Sequence, residues 1–172
     1  LWDYRDFAEV LVNPSLETEI LIGEGRAYGL ELSGKRKVGA LNGLVSYTYS
    51  STQRKIPGIN GGEYYNSNFD KPHNFVATIN WNPNKRNTLT ANFTYGTGRP
   101  VTAPVGSYRI ENGLSVPVYS DRNAVRIPDY HRLDLAYTLG KGYDETKNFQ
   151  TSWTFSLYNV YGGKNAFSVF YT

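Results

Sequence analysis

Cysteine is absent from the 172 residues, which excludes a disulfide scaffold, a thiolate metal site and a cysteine nucleophile. Methionine is absent too, and no apolar leader opens the chain at Leu1-Trp2-Asp3-Tyr4. The expectation is therefore a part of a longer chain. No run approaches the ~20 apolar residues that a membrane-spanning helix needs. Histidine is confined to His73 and His131, and a net charge of +3, from dispersed basic residues, is too small to argue for nucleic acid as a partner.

What the chain has in excess is tyrosine, 15 residues, within an aromatic content of 15%. Yet the mean hydropathy is only −0.50. Strands that alternate greasy and wet positions produce that combination. The clearest case is residues 73–95. Phe75, Ala77, Ile79 and Trp81 alternate with polar residues, broken only by Val76. After the turn Asn82-Pro83-Asn84-Lys85-Arg86-Asn87, Leu89, Ala91, Phe93 and Tyr95 alternate with Thr and Asn. A period of two predicts a strand, and Pro with Asn predicts the reversal between two strands.

The same plan recurs. A strand from Gly25 puts Tyr28, Leu30 and Leu32 opposite Glu31, Ser33 and Lys35, and a turn at 35–41 leads to Val45, Tyr47 and Tyr49 alternating with Ser46, Thr48 and Ser50. A fifth strand sets Leu133, Leu135, Tyr137 and Leu139 against Arg132, Asp134, Ala136 and Thr138. After a polar turn at 140–148, a sixth sets Trp153, Phe155 and Leu157 against Ser152, Thr154 and Ser156. Alternation returns at Phe167, Val169 and Tyr171, beyond Tyr161-Gly162-Gly163, where a bulge is expected to continue the strand. Residues 1–24 read mainly as loop, with short strands around 7–12 and 19–22. Within the long segment 96–129, Tyr108-Arg109-Ile110 and Leu114-Ser115-Val116 flank Asn112-Gly113, the signature of a two-residue hairpin turn.

Connections alternate short and long, with long loops at about 1–24, 52–72 and 96–129. A soluble sandwich would cover the apolar face with a second sheet. An outer-membrane barrel would turn it to lipid, keep tight turns on one side and large loops on the other, and set Trp81 and Trp153 at one interface. The expected fold is therefore all-β, an antiparallel transmembrane β-barrel.

Four segments carry a resemblance. Gly23-Glu24-Gly25-Arg26-Ala27-Tyr28-Gly29-Leu30-Glu31, Asp70-Lys71-Pro72-His73-Asn74, Ile127-Pro128-Asp129-Tyr130-His131-Arg132-Leu133-Asp134-Leu135 and Leu157-Tyr158-Asn159-Val160-Tyr161 resemble, in order and spacing, the C-terminal part of TonB-dependent receptors, particularly those common in Bacteroidota. The resemblance implies that residues 1–172 are the C-terminal portion of a single barrel domain in the bacterial cell outer membrane. It would cover about six late strands of roughly 22, with the plug and the final strand lying outside. It further implies an importer for a scarce or bulky ligand such as a siderophore, oligosaccharide or peptide. Its partners would be the lipid bilayer and, through the plug, the TonB energy-coupling complex. The alternative is a scaffold subunit of a larger outer-membrane complex, with a surface lipoprotein as lid.

No constellation points to catalysis, a metal or a cofactor, so the expected class is not an enzyme. His73 and His131 lie near Asp70 and Asp129, at strand entries where ordinary hydrogen bonding is the plain reading. Lys35-Arg36-Lys37 and Lys85-Arg86 fall in short turns, where charge is simply solvated. Substrate contact, if in this chain, is expected from Arg54, Tyr64, Tyr65, Arg109, Tyr119 and Arg122 in the long loops, since Tyr and Arg stack on and hydrogen-bond polar ligands. Arg132 and Asp134, two apart on one inward face, are further candidates, with a salt bridge between barrel residues as the structural reading.

Overall fold

A computed structural model of the chain describes residues 22–110, 113–140 and 149–166. Its strands are β1 (Glu24–Val38), β2 (Leu41–Lys55), β3 (Tyr65–Asn66), β4 (His73–Asn84), β5 (Asn87–Gly96), β6 (Pro100–Val101), β7 (Pro104–Arg109), β8 (Ser115–Tyr119), β9 (Val125–Arg126), β10 (Tyr130–Gly140) and β11 (Ser152–Leu157). The long strands form one antiparallel sheet in the order β1-β2-β4-β5-β10-β11, with β3 folded back on β2. Two small ladders, β6 with β9 and β7 with β8, stand apart from it. The all-β, antiparallel expectation holds; among the described residues the sheet does not close, and β1 and β11 are its open edges. The strand expected around 7–12, nearly all of that around 19–22, the turn after Gly140, and the alternation at Phe167, Val169 and Tyr171 lie outside the described residues.

Register turns the alternation of each strand into a property of the whole sheet. Residues opposite one another in an antiparallel ladder share a face. One rung reads Leu32, Tyr47, Phe75, Tyr95, His131 across β1, β2, β4, β5 and β10. The next two are Val45, Ala77, Phe93, Leu133 and then Gly43, Ile79, Ala91, Leu135, Leu157; below them come Leu41, Trp81, Leu89, Tyr137, Phe155. Among the described residues, every large apolar residue named above for a greasy face lies on this one surface. Its reverse carries Ser, Thr, Asn and charged residues, among them Glu31, Lys35, Arg132 and Asp134, with Val76 and Leu44 on adjacent rungs as the large apolar exceptions. Cross-strand hydroxyl and amide bonds knit that reverse face: Thr90 to Asn80 at 2.8 Å, Thr88 to Asn82 at 2.7 Å, and Thr138 with Thr154 at 3.0 Å.

Three expectations about turns are corrected. The reversal expected over 35–41 takes only Gly39 and Ala40, with Gly39 at φ 72°, because the β1–β2 ladder stays in register as far as Val38 opposite Leu41. Lys85 and Arg86 alone make the β4–β5 turn, next to a register shift between Trp81 and Asn84. In the β7–β8 hairpin the loop is one residue longer than an Asn-Gly pair: the N–H of Gly113 donates to Ile110 O at 2.8 Å with φ 81°. That is a three-residue loop with its glycine in the left-handed region. The long loop expected at about 52–72 also begins later, since β2 runs on to Lys55.

The apolar face has no second layer among the described residues. Ile79, Trp81, Leu139, Trp153, Phe155 and Leu157 are all exposed, and the buried apolar side chains among the described residues are Tyr65, Ala77, Pro100 and Ala103. Tyr65 and Ala103 belong to the loops. Loop 56–72 and loop 97–129 pack against each other over one end of the sheet, opposite the two short turns. Gly98 lets the two ends of loop 97–129 close on each other, because a Cβ on it would overlap Ile127 O and stand 2.9 Å from Pro128 O. Backbone cannot yield to such an overlap. Gly98→Ala is expected to force apart the two ends of loop 97–129 at a cost of about 1–3 kcal/mol. Trypsin cleavage after Arg99 and Arg122 should then accelerate by roughly tenfold or more, while an unchanged rate would show that the approach is not tight.

Candidate functional site

The two loops are joined by side chains that satisfy one another's backbone. Asn60, in a single 3-10 turn at Asn60–Gly62, aims its carboxamide at Arg122, donating to the carbonyl at 3.0 Å and accepting the N–H at 2.8 Å. Asn123, buried and at φ 58°, donates through Nδ2 to Asn66 O and Asn68 Oδ1, both at 2.6 Å. Asp70 is 2% exposed and pairs with Arg126, which also donates to Asp70 O and Gly98 O at 3.0 Å. The same carboxylate accepts the N–H of Thr52 on β2 at 2.7 Å. A buried carboxylate left without that guanidinium would cost several kcal/mol, so Asp70 and Arg126 hold the loops to each other and to the sheet.

Asp129 anchors the far end of the second loop. It accepts the Tyr95 hydroxyl at 2.6 Å and the Gly98 N–H at 2.9 Å. The two histidines pair with tyrosines. His73 Nδ1 shares a 2.8 Å bond with the Tyr47 hydroxyl, and His131 Nδ1 a 2.7 Å bond with that of Tyr161. Neither meets the acid that neighbours it in sequence, because Asp70 and Asp129 are occupied elsewhere. Among the described residues no three His, Asp or Glu groups come close enough to hold a metal ion.

Under the joined loops, on the polar side of the sheet, lies a cleft of about 200 Å³. Arg54, Tyr65 and Arg122 line it, three of the eight residues singled out from the sequence, together with Ile56, Ile59, Ser67, Asn68 and Asn123. Tyr65 is 7% exposed and forms part of the wall, on the β3 rung opposite Arg54. Tyr64 faces elsewhere: its hydroxyl donates to Glu24 at 3.1 Å and its ring lies 4.0 Å from the Arg26 guanidinium. Arg109 and Tyr119 sit on the exposed β7–β8 hairpin, away from the cleft. Arg132 and Asp134 pair with each other at 2.8–2.9 Å, and Asp134 also accepts the N–H of Asn159 at 2.9 Å.

The expected bulge after β11 takes a larger form. Ladder pairing stops at Leu157, yet the chain stays beside β10. The N–H of Val160 donates to Leu133 O at 2.8 Å, and the Asn165 carboxamide accepts from His131 N and donates to His131 O, both at 2.9 Å. Asn159, at φ 52°, closes the bulge through two bonds with Gly163. Sequence reading missed Asn60, Asn68, Asn123 and Arg126. Their signals, an Asn-Gly-Gly turn and an Asp-Arg-Asn run, announce turns and say nothing of partners 55 to 62 residues away.

Asp129 gives the loop anchor a pH dependence. The Tyr95 hydrogen bond, then the Gly98 N–H, hold its carboxyl below the ordinary 3.8, with smaller help from Arg126 and His73 and against some desolvation. A folded-state pKa below the unfolded one stabilises fully above the unfolded value and is lost as pH falls through the folded one. Exchange protection at the Gly98 amide, corrected for intrinsic rate, should hold steady down to about pH 4 and decline below it. Asp129→Asn should remove that decline, and a wild-type decline beginning near neutrality would count against this anchor.

No protein-family model matches the chain, and neither a characterised protein nor a solved structure is significantly similar to it.

Proposed function

We propose that this chain forms part of the wall of a transmembrane β-barrel in a bacterial outer membrane, and that the barrel imports a scarce or bulky ligand using energy delivered by the TonB complex. One observation carries the membrane half of the reading: the order of side chains on the apolar face. A row rich in Tyr and His at the loop end (Tyr47, Tyr49, His73, Tyr95, His131) is followed by an aliphatic band and then by Trp81, Tyr137 and Trp153 near the short turns. Aromatic belts at two depths with hydrocarbon between them match the two interfaces of a bilayer.

The dimensions agree. From Leu41 to Tyr49 β2 climbs about 27 Å at ~3.4 Å per residue, or roughly 21 Å along the normal at a 40° tilt, close to the ~25 Å apolar band of outer-membrane barrels. Charge agrees as well. In this band the six strands present one charged side chain, Arg36, on the edge strand one rung from the short-turn end, where an arginine can reach the interface. A soluble sheet with this face uncovered would associate through it. The importer half rests on the four motifs that resemble TonB-dependent receptors, and on long loops gathered at one end above a polar inner face.

Two measurements test the halves separately. The cysteine-free chain permits clean single-cysteine labelling in native outer membranes. Leu135→Cys should react with a lipid-soluble maleimide and resist a water-soluble one, while Asn92→Cys, on the reverse face of the neighbouring strand, should do the opposite. Equal labelling of both by the water-soluble reagent sinks the membrane wall. For the importer, uptake of the ligand that the protein serves should stop when TonB is deleted, and uptake persisting at the wild-type rate would leave a passive pore or a scaffold.

A further inference from the structure

We propose that the cleft beneath the joined loops is a binding site for the anionic end of the ligand, a carboxylate-bearing, sugar-sized group. This deepens the importer reading by naming a charge class. The starting point is how the arginines are used. Arg126 meets Asp70 and Arg132 meets Asp134, while Arg26 is taken up by the Gln53 carboxamide and the Tyr64 ring. Arg54 and Arg122 line one concavity that no acidic side chain lines, and neither has an ion-pair or hydrogen-bond partner for its guanidinium among the described residues. Two like charges facing one small cavity destabilise it when empty, and an anion between them relieves that repulsion. Guanidinium groups suit a carboxylate, since each can donate two parallel N–H bonds to it, as it can to a phosphate.

Both arginines are held before any ligand arrives. The backbone of Arg122 is clamped on both sides by Asn60, and its neighbour Asn123 is fixed by three further hydrogen bonds. Arg54 belongs to β2 and is paired across to Tyr65. Only side-chain rotamers remain to be ordered, which keeps the entropic cost of binding low. Ile56 and Ile59 give the cleft an apolar flank for the face of a ring. A volume of about 200 Å³ falls below the roughly 300–1,000 Å³ of pockets that enclose a whole drug-sized molecule. The cleft therefore receives one residue or one end of something larger.

The test is a calorimetric titration of the full-length protein in lipid nanodiscs with D-glucuronate, with glucose as the uncharged ring of the same size, and with inorganic phosphate as a bare anion. Glucuronate should bind and glucose should not. Phosphate binding as well as glucuronate upholds the site as a reader of charge alone; weaker phosphate upholds it with a contribution from the ring. Arg54→Gln and Arg122→Gln should each weaken glucuronate tenfold or more. Because either substitution also alters packing at the loops, Asn68→Asp serves as the second variant. It keeps the acceptor that Asn123 uses while adding a carboxylate to the cleft, and should abolish anion binding with the Gly98 amide still protected. Glucose binding as tightly as glucuronate, no anion binding at all, or full affinity in Asn68→Asp each overturns the proposal. If the cysteine pattern above holds and the titration is blank, only this inference falls; if the cysteine pattern fails, glucuronate binding still stands or falls by itself.

Discussion

Everything in this sheet depends on register. Side chains on a strand alternate faces, so a slip of one residue in any ladder would move that strand's apolar set to the other side. Five ladders in succession avoid such a slip. Two-residue turns at Gly39-Ala40 and Lys85-Arg86 leave little freedom to the pairs they join. The ladders across the long loops, β2 with β4 and β5 with β10, have no such tether. They are set instead by matching faces, and by the loop anchors at Asp70 and Asp129.

Those anchors explain why long polar loops fold at all. Loop 56–72 and loop 97–129 bury little apolar surface, Tyr65, Pro100 and Ala103 apart, so hydrophobic burial alone cannot order them. Backbone groups are satisfied by side chains instead: asparagine carboxamides at Asn60 and Asn123, carboxylates at Asp70 and Asp129, a guanidinium at Arg126. Each such bond is worth only about 1 kcal/mol net, rising to about 3 where a charge takes part. The array is cooperative because one residue serves several partners. Asp70 alone links β2, its own loop and the neighbouring loop.

The division of labour among polar residues follows the same logic. Asp70, Arg126, Arg132 and Asp134 neutralise each other where they are buried or half-buried, as a low-dielectric setting demands. Hydroxyls and amides on the reverse face of the sheet bond across strands. Arg54 and Arg122 stand instead on a preformed wall that no acidic side chain lines.

The sequence by itself determined the six long strands, their order of appearance, which face of each is apolar, and the position of the two long connections between them. Those are local properties, carried by a period of two and by Pro, Gly and Asn. Motif acids at Asp70 and Asp129 were visible as well, though only as neighbours of histidines that prove to bind tyrosines. Tertiary structure alone decided that the six apolar faces are one face, that strands outrun the expected turns, and that loops 56–72 and 97–129 are a single module. It also separated Arg54, Tyr65 and Arg122 from Tyr64, Arg109 and Tyr119, which composition cannot rank. The reason is distance along the chain: Asn60 finds Arg122, and Asp70 finds Arg126, only after the sheet has brought their loops to the same end, and no pattern within either segment encodes that meeting.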